Sequence, residues 1–459
     1  MKSLKLAEII KCVNSGSEVS NDDLFVSGIS TDSREDLKGK LYIALEGDKF
    51  DGHDFIDQAI KKGAVAVITH KDVDIEVDNL IRVKNTKQAL IDIATYYRSL
   101  FDIKIIGVTG SVGKTSTKDM ISTVLGQRYR VLKTEANLNN EIGVSKTILS
   151  LNDDYDVAVI EMGMCSFGEI SELSNIIKPN IGVVTKIGVS HIEALGSREN
   201  ILKAKLEIID GMKKESLIVL NGDDDLLTDY NNENFMIERY GIYNKNSDVI
   251  AKNINSDFME TCFNIVDKDK ILDAKIPCMG KHNIYNALAA YLIGRNLNLT
   301  DKEILNGLEL YYPSGMRQKV VNFKGVTIVE DCYNANPDSM KAAIKTIREM
   351  DVKGEKIMVI SDMLELGDIS VSSHYDVGRM IADSDIDKIY CFGELSRQYV
   401  NGALDGKMKK ENVKFFSKKD DVYKSLKDDI KRNNVIWFKA SRGMKLEEII
   451  EKIYNNSEK

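Results

Sequence analysis

The sequence has few of the residues that mark secreted, disulfide-stapled or repetitive proteins. It contains only four prolines and one tryptophan in 459 residues, so no proline-rich linker divides it. Its six cysteines are scattered and none of them forms a C-x-x-C pair, which predicts neither a zinc site nor a disulfide framework. Reduced thiols in a cytoplasmic protein are the simplest interpretation.

Long hydrophobic runs are also missing. No apolar run reaches the ~20 residues that a membrane-spanning helix needs. The segment Met1 to Lys11 has two early lysines but no long apolar core, so no signal peptide is expected. The formal net charge is −8, and this mild acidity argues against a protein that coats nucleic acid. We therefore expect a cytoplasmic chain with neither a membrane span nor a nucleic-acid partner.

The length exceeds what one hydrophobic core supports, since cores stop growing at roughly 250–300 residues. With 43% hydrophobic and 29% charged residues, the composition is that of a globular protein. We expect three domains, with boundaries near residues 85 and 314. The first, 1–85, mixes short strands and turns. The second and third, 86–313 and 314–459, each contain a series of alternating strands and helices.

Short apolar runs separated by helical patterns predict parallel sheets with covered faces, in an α/β fold. The predicted central strands are Ile103 to Val108, Val157 to Ile160, Ile181 to Val184 and Leu217 to Leu220. The predicted strands of the third domain are Val326 to Val329, Ile357 to Ile360, Ile389 to Phe392 and Val435 to Phe438. The polar stretch Asn221 to Ala274 is predicted to be a small antiparallel addition. In such sheets, ligands bind at the carboxyl ends of the strands.

A glycine-rich loop lies between the predicted strand Ile103 to Val108 and a helix that is predicted from about Ser116. That context is the one a phosphate-binding P-loop requires. Glycines let backbone N–H groups turn toward phosphate oxygens, and the helix N-terminus adds positive potential. We expect Lys114 to reach the β- and γ-phosphates and Thr115 to ligate Mg²⁺. The loop consists of Gly110, Ser111, Val112, Gly113, Lys114, Thr115 and Ser116.

The loop departs from a full Walker A motif, because Val108 occupies the first glycine position. An ordinary glycine-rich turn is the alternative interpretation. Gly-Lys-Thr at the right place between a strand and a helix favours nucleotide binding.

Three residues near the same sheet edge are candidates for a metal site. Glu161 ends a predicted strand, where its carboxylate could hold Mg²⁺; a solvated strand-end acid is the alternative. His191 follows another strand by a short loop and is either a structural residue or a ligand. Lys205 comes fourteen residues later. Since ammonium and Mg²⁺ repel each other, the residues alone favour a surface lysine there.

Two asparagines further along could contact a nucleotide base. Asn283 and Asn286 are three residues apart and share one face of a predicted helix. Their amides can both donate to and accept from an adenine edge. From the residues alone, an N-cap and a packed polar side chain explain them better.

The third domain has a second possible ligand edge. Arg317 lies at its entry, and Asp331 ends its first strand, just before Asn334 and Asn336. The pair Ser441-Arg442 follows the strand Val435 to Phe438 in the same way. A surface turn is the alternative for each of these groups.

Taken in order, these segments resemble the Mur ligases of peptidoglycan synthesis, and the resemblance covers nearly the whole chain. The first matching segments are Thr31-Asp32-Ser33-Arg34, Asp51-Gly52-His53, Thr109 to Thr115, Asn137 to Gly143, Glu161-Met162-Gly163, Gly168-Glu169-Ile170, His191 with Ala204-Lys205, and Gly280 to Asn286. The segments of the third domain are Asp331 to Met340, Asp362 to Gly367 and Ser441 to Met444. Tyr-Asn-Ala-Asn-Pro and Met-Leu-Glu-Leu-Gly are typical of the branch that adds D-alanyl-D-alanine. The Asp-Asn-Pro-Arg segment of the diaminopimelate-adding branch is absent.

The resemblance implies a small N-terminal α/β domain for the UDP-sugar, a central parallel-sheet P-loop ATPase domain, and a C-terminal Rossmann-like domain that closes over ATP. By that analogy Asp32, Ser33 and Arg34 bind UDP, Asn140 lies near the sugar nucleotide and the γ-phosphate, Asn283 and Asn286 contact adenine, and Arg317 and Asp331 contact the phosphates and ribose. Asn334, Asn336, Ser441 and Arg442 are expected at the substrates, the last two close to the amine.

The resemblance also reverses the interpretation of Lys205. In the family, the lysine at this spacing from the histidine is carbamylated by CO₂, which turns a cation into an anion. Lys205 could then join Glu161 and His191 at a second Mg²⁺. We expect Lys114, Glu161, His191, Lys205 and Asn140 to act in catalysis, with Thr115, Glu161, His191 and Lys205 at the metal ions.

The expected reaction is ATP-dependent addition of D-alanyl-D-alanine to UDP-N-acetylmuramoyl-tripeptide through an acyl phosphate, by a monomer. Two alternatives stay open at this stage. One is a related amide ligase, either diaminopimelate-adding or folylpolyglutamate-type. The other is a nucleotide-switched binding protein without ligase chemistry.

Overall fold

The computed structural model of the chain describes residues 1–47, 49–74, 78–257 and 259–455. The N-terminal region contains a small parallel sheet whose four strands pair in sequence order. Two strands, β1 (Leu4–Lys5) and β2 (Phe25–Val26), form a separate antiparallel pair, and the sheet consists of β3 (Gly28–Ser30), β4 (Lys40–Ile43), β5 (Ala66–Thr69) and β6 (Leu80–Arg82). The helices of this region are α1 (Leu6–Cys12) and α2 (Ile56–Lys61).

Helix α3 (Thr86–Ser99) connects this region to the centre of the molecule. Asn85 begins it, because the Asn85 side chain accepts hydrogen bonds from the backbone N–H groups of Lys87 and Gln88. An apolar cluster extends without interruption from Leu41 in the N-terminal sheet, past α3, to Ile160 in the central sheet. The N-terminal and central sheets therefore share one hydrophobic core.

Arg98, near the end of α3, is buried and supports this junction. Its guanidinium donates to the backbone carbonyls of Ile177, Phe101 and Ile103 at 2.8, 2.7 and 3.3 Å. The hydrogen bonds satisfy carbonyls that would otherwise lack partners in a buried position.

The central sheet has nine strands in the order β15-β14-β13-β12-β11-β10-β7-β9-β8. They are β7 (Lys104–Thr109), β8 (Val131–Lys133), β9 (Val157–Glu161), β10 (Ile181–Val184), β11 (Leu217–Asn221), β12 (Met236–Gly241), β13 (Val249–Ser256), β14 (Thr261–Asp267) and β15 (Lys270–Ile276). The helices that accompany them are α4 (Lys114–Leu125), α5 (Glu141–Leu149), α6 (Glu169–Ile177), α7 (Ile192–Leu195), α8 (Arg198–Leu206), α9 (Lys281–Asn296) and α10 (Asp301–Glu309).

The prediction for Asn221 to Ala274 was only partly right. Strands β12 and β13 pair in parallel and continue the central sheet, and only β14 and β15 add antiparallel pairs. Buried and partly exposed residues alternate along β14, as in a strand with one buried face. This alternation looks the same in the sequence whether the neighbouring strand is parallel or antiparallel. Strand direction depends on long-range pairing and is absent from the local pattern.

The C-terminal sheet has six strands in the order β16-β17-β21-β18-β19-β20, and only the edge strand β16 is antiparallel to its neighbour. The strands are β16 (Lys319–Phe323), β17 (Val326–Asp331), β18 (Lys356–Ser361), β19 (Lys388–Phe392), β20 (Val413–Phe416) and β21 (Val435–Lys439). The helices are α11 (Pro337–Glu349), α12 (Ser370–Ala382), α13 (Arg397–Asp405), α14 (Lys419–Leu426) and α15 (Glu447–Asn455).

The predicted α/β class with parallel sheets is confirmed, while the boundaries near residues 85 and 314 stay predictions. Both faces of the central sheet are covered at β7, β9, β10 and β11, so these strands read as continuous apolar runs. Ile105 and Ile160 belong to the cluster on one face, and Ile106, Val108 and Val159 to the cluster on the other. Within the described ranges, none of the helices combines the length and the apolar character that crossing a membrane would require.

Helix α4 packs closely on α9 and α10, and glycine permits the contact. A Cβ added at Gly307 in α10 would lie 2.5 Å from the Cα atom of Val124 in α4. Because α4 follows the glycine-rich loop, this packing fixes the direction in which the loop enters the helix.

We predict that Gly307→Ala destabilises the protein by about 1–3 kcal/mol, because the methyl group forces α10 away from α4. The midpoint of urea-induced unfolding measures the effect. Asn306→Ala, at an exposed position of the same helix, is the control and should leave the midpoint nearly unchanged. An unchanged midpoint for Gly307→Ala would contradict the close packing.

Candidate active site

Three neighbouring strands of the central sheet end level with one another. Val108 of β7 lies opposite Glu161 of β9, and Thr109 of β7 lies opposite Val184 of β10. The loops that follow these strands line a cavity of about 560 Å³, together with residues of the C-terminal region. This is the sheet edge at which α/β proteins bind their ligands.

Two positions of the glycine-rich loop after β7 have backbone conformations that only glycine adopts easily. Gly110 has φ +149° and Gly113 has φ +85°. A Cβ at Gly110 would lie 1.9 Å from Thr185 Oγ1, which leaves no room for a side chain. The Ser111 N–H donates to the carbonyl of Lys186 at 2.8 Å, so the loop is tied to the segment after β10. The loop is therefore held open at the N-terminus of α4, where anions bind.

Lys114 occupies the first position of α4 and folds back over the loop. Its Nζ donates to the Gly110 carbonyl at 2.8 Å. Burial lowers the pKa of Lys114, and Arg317 adds to that effect while Glu161 opposes it. A phosphate group placed here would give the ammonium a close anionic partner.

Glu161 is 3% exposed at the end of β9 and is held by hydrogen bonds. The Thr115 hydroxyl donates to one carboxylate oxygen at 2.7 Å, and Asn139 Nδ2 donates to the other at 2.9 Å. Arg317 Nη2 donates to the Thr115 hydroxyl at 3.0 Å. A hydroxyl and a carboxylate in contact beside a phosphate-binding loop form a donor set that suits Mg²⁺.

His191 and Lys205 both lie close enough to Lys114 for its charge to act on them. Burial, Lys114 and Lys205 lower the pKa of His191 to about 4, so the imidazole is neutral near pH 7. His191 has φ +64°, an uncommon conformation for this residue, at the start of α7. Its Nδ1 lies 3.9 Å from Glu365 Oε2 of the C-terminal region.

Lys205 is buried in α8, with 1% of its surface exposed. The alternative of a surface lysine therefore does not hold. Burial and Lys114 lower the pKa of Lys205 well below its ordinary value. A lysine in this setting loses its proton more readily than a surface lysine.

The two asparagines of α9 lie beside the glycine-rich loop. Thr117 Oγ1 donates to Asn286 Oδ1 at 2.8 Å, and Asn286 Nδ2 donates to Asn283 Oδ1 at 3.0 Å. Asn283 Nδ2 donates to the Met279 carbonyl at 2.8 Å. Both side chains are buried and line the cavity.

Residues of the C-terminal region form the opposite wall. The Arg317 guanidinium lies 3.5 Å from the centre of the Tyr333 ring. Asp331 is buried at the end of β17, and Lys439 Nζ donates to its Oδ2 at 2.8 Å. Lys439 Nζ also donates to the Asn334 carbonyl at 3.2 Å. Asp331 and Lys439 thus lie at one end of the cavity as an ion pair.

Asn336 connects the two walls. Its side chain caps α11 by accepting from the Ser339 N–H at 2.8 Å, and its Nδ2 donates to Ser190 Oγ at 2.8 Å. The cavity therefore lies between parts of the molecule that are in direct contact.

Most of the predicted site residues lie together. Those that line the cavity are Ser111, Val112, Gly113, Lys114, Thr115, Ser116, Asn140, Glu161, His191, Asn283, Asn286, Arg317, Asp331, Asn334 and Asn336. The predicted residues that are not part of its lining are Gly110, Lys205, Asp32, Ser33, Arg34, Ser441 and Arg442.

The residues predicted for UDP form their own contacts in the N-terminal region. Arg34 makes two hydrogen bonds to the Asp32 carboxylate, at 2.9 and 2.7 Å, and lowers the pKa of Asp32 to about 2. Ser33 Oγ donates to Gln58 Oε1 at 2.9 Å. The roles of these residues stay predictions.

Ser441 and Arg442 lie beyond the cavity. The Ser441 hydroxyl accepts from the Leu364 N–H at 3.0 Å and donates to the Ala335 carbonyl at 3.3 Å. Arg442 is exposed and lies 3.4 Å from Glu447. Ser441 thus touches the loop that carries Asn334 and Asn336 without facing the cavity itself.

Sequence reasoning missed several residues of the lining. Asn140 was predicted to lie at the site, and Asn139 was not. In the structure Asn139 donates to Glu161, whereas the Asn140 side chain caps α5 by accepting from the Gly143 N–H at 2.9 Å. An asparagine directly before the first residue of a helical pattern is a cap signal that could have separated the two. Lys186 and Asp338 carry no such local signal.

Family models match most of the chain. The model described as "Mur ligase family, catalytic domain" matches residues 25–98, "Mur ligase middle domain" matches 108–294, and "Mur ligase, glutamate ligase domain" matches 316–442. The chain therefore belongs to the Mur ligase family, whose members are ATP-dependent amide ligases.

Particular relatives align over almost the full length. The chain is 39% identical, over 93% of each sequence, to the UDP-N-acetylmuramoyl-tripeptide–D-alanyl-D-alanine ligase of Bacillus subtilis. It is 32% identical to the enzyme of that name from Escherichia coli, over 99% of each. A crystal structure of MurF from Acinetobacter baumannii superposes with a TM-score of 0.90 at 27% identity, over 98% of this chain and 99% of that one. MurF ligase from Thermotoga maritima in complex with ADP gives 0.83 at 28% identity, over 92% and 96%.

We predict that two adjacent asparagines behave differently when each is replaced by alanine. Asn139→Ala should weaken Mg²⁺-dependent binding of ADP about 10-fold, because Glu161 loses the donor that orients it. Asn140→Ala should lower the stability by about 1 kcal/mol, because α5 loses its cap. Titration calorimetry with ADP and Mg²⁺ and thermal melting separate the two effects. Identical behaviour of the variants would contradict the geometry.

Proposed function

We propose that this chain adds D-alanyl-D-alanine to UDP-N-acetylmuramoyl-tripeptide at the expense of ATP, in the cytoplasmic synthesis of peptidoglycan precursors. The observation that carries the proposal is the end-to-end similarity to relatives of that name, at 39% and 32% identity. The cavity supports the chemistry, since a phosphate-binding loop faces a carboxylate–hydroxyl pair and a wall of the C-terminal region.

The nucleotide would lie along the start of α4. The loop from Gly110 to Ser116 would hold the phosphates through its N–H groups, with Lys114 at the terminal phosphate. Asn283 and Asn286 would contact the adenine. Arg317 and Asp331 would contact the phosphates and ribose from the opposite wall, so that the bound nucleotide joins the two walls.

Mg²⁺ fits the donors that surround the loop. Thr115 and Glu161 supply a hydroxyl and a carboxylate, and Mg²⁺ in nucleotide sites commonly takes only one or two carboxylates, with phosphates and water as its other ligands. This agrees with the absence, within the described ranges, of any cluster of three or more His, Cys, Asp or Glu residues suited to a metal. When bound, the ion would neutralise phosphate charge and align the terminal phosphoryl group.

A carbamate on Lys205 is supported by the surroundings of that side chain. Only a neutral amine reacts with CO₂, and burial of Lys205 lowers its pKa well below the ordinary value. In that reaction the nitrogen–carbon bond forms and the amine releases a proton, so the side chain becomes an anion. Lys114, which lowers the pKa of Lys205, would stabilise that anion. The carbamate could then hold a second Mg²⁺ with His191 and Glu161.

The reaction follows from what a carboxylate needs in order to acylate an amine. A peptide carboxylate oxygen attacks the terminal phosphorus of ATP, which gives an acyl phosphate and ADP. Lys114 offsets the repulsion between the two anions. The amine nitrogen then attacks the acyl carbon, and the bond from that carbon to the phosphate oxygen breaks. Of the two protons that an ammonium substrate loses, one ends on the phosphate and the other on solvent.

Five further residues with proposed roles do not line the cavity. Asp32, Ser33 and Arg34 would bind the uridine diphosphate, and Ser441 and Arg442 would lie near the amine substrate. We also propose the domain boundaries near 85 and 314 and a monomeric enzyme, which gel filtration with light scattering would test.

Phosphate release with a panel of amines tests the substrate assignment. D-alanyl-D-alanine should stimulate ATP turnover in the presence of the UDP-tripeptide, while diaminopimelate and glutamate should not. Stimulation by diaminopimelate or glutamate alone would identify a different amide ligase. Hydrolysis without any acceptor would identify a nucleotide-switched binding protein. Isotope-labelled oxygen in the acceptor carboxylate should appear in the released phosphate, and Lys114→Ala should release almost none.

We predict that Lys205→Ala loses at least 100-fold in activity and recovers partly with added acetate or formate, which supply the missing anion. Lys203→Ala, at an exposed position of the same helix, is the matched control and should keep near-normal activity. Steady-state phosphate release measures both variants. Full activity of Lys205→Ala without added carboxylate would refute the role of the carbamate.

A further inference from the structure

Two buried polar atoms of the cavity have no hydrogen-bond partner among the described residues. They are Oδ2 of Asp338, in the first turn of α11, and the hydroxyl oxygen of Ser111, in the glycine-rich loop. Gly188 lies between them: a Cβ added there would be 2.2 Å from Asp338 Oδ2 and 3.3 Å from the Ser111 Cβ. The carboxylate of the C-terminal region thus reaches the phosphate loop of the central region.

The position of Asp338 is fixed by the contacts around it. Asn336 Nδ2 donates to Ser190 Oγ at 2.8 Å, and Ser190 Oγ donates to the Ser111 carbonyl at 3.3 Å. This chain of contacts ties the first turn of α11 to the glycine-rich loop. Asp338 Oδ1 lies 3.5 Å from Lys186 Nζ, in a pair whose side chains are 25% and 43% exposed. An exposed pair of that kind contributes little, and it leaves Oδ2 without a donor.

A carboxylate oxygen that is shielded from water needs a donor. Leaving such an oxygen unpaired costs roughly 1–3 kcal/mol, more when it is charged, so a cationic donor is the complement that this position favours. A primary ammonium carries three N–H donors, enough for Asp338 Oδ2 and the Ser111 hydroxyl together. Both residues line the same cavity, so a ligand can reach them.

We propose that Asp338, assisted by the Ser111 hydroxyl, binds the ammonium group of the incoming amine substrate. The inference rests on the proposed function, and it adds the residue that holds the second substrate. Ser111 belongs to the same loop as Lys114, so an ammonium bound there would lie beside the terminal phosphoryl group. The amine would therefore wait next to the position where the acyl phosphate forms.

Asp338→Asn tests the charge while it keeps the shape of the side chain and the start of α11. The KM for D-alanyl-D-alanine should rise at least about 10-fold, because a charged hydrogen bond becomes a neutral one. The KM values for ATP and the UDP-tripeptide should stay within twofold of the wild-type values. An unchanged KM for the dipeptide would overturn the proposal.

Hydroxylamine separates this inference from the proposed function. It is largely uncharged at neutral pH and captures acyl phosphates as hydroxamates without an ammonium subsite. Wild type and Asp338→Asn should form hydroxamate at equal rates. If neither forms hydroxamate, the acyl-phosphate chemistry itself fails. If only the variant fails to form it, Asp338 acts on closure or on ATP, and the ammonium assignment is wrong.

Two controls exclude a purely structural role. If Asp338 served only to hold the regions together through Lys186, Lys186→Gln would reproduce the whole defect of Asp338→Asn. Under our proposal Lys186→Gln leaves the KM for the dipeptide unraised, since the carboxylate stays in place. Asp421→Asn removes an acid from the first turn of another helix of the same region, away from the cavity, and should change none of the KM values. Thermal melting of each variant verifies that it is folded.

Discussion

The parallel register of β9, β7 and β10 is the constraint on which the candidate active site depends. Because these strands end level, the glycine-rich loop, Glu161 and the segment after β10 face one cavity. A slip of one residue in β9 would turn Glu161 from the edge toward a packed face, since side chains alternate along a strand. Such a slip would also force the side chains of β9 to repack against both faces of the sheet, so the core of the fold sets the geometry of the site.

The electrostatics of the cavity follow from that geometry. Lys114, His191 and Lys205 all have lowered pKa values, mainly because burial disfavours their charged forms. Nearby cations add to this effect: Arg317 acts on Lys114, and Lys114 acts on both His191 and Lys205. Glu161 is the carboxylate placed among them, and its oxygens already accept from Thr115 and Asn139. A site of this kind is built to receive negative charge, which a nucleotide and an acceptor carboxylate both supply.

The parts of the site that could be predicted from sequence are those with a local pattern. The phosphate loop is identified by the succession of a strand, a glycine-rich loop and the start of a helix. Glu161 is recognisable as an acid at the end of a strand. The burial of Lys205 could not be derived from its helix, because Lys203 and Lys205 look alike until their surroundings are known. The direction of β12 and the meeting of Asp338 with Ser111 depend on packing between distant segments, and neither was predicted.

The hydrophobic core that the N-terminal and central sheets share joins these two regions into one packed unit. The N-terminal and central regions are joined by α3, by the three carbonyl contacts of Arg98 and by a common apolar cluster, whereas the C-terminal sheet has clusters of its own. Under the proposed function, this common core sets the distance between the uridine diphosphate that the N-terminal region would bind and the glycine-rich loop. Within the described residues, the strands of the C-terminal sheet share no apolar cluster with those of the other two sheets. Under the proposed function, an acceptor of a different length would therefore have to be accommodated at the C-terminal region, since the common core holds the other distance constant.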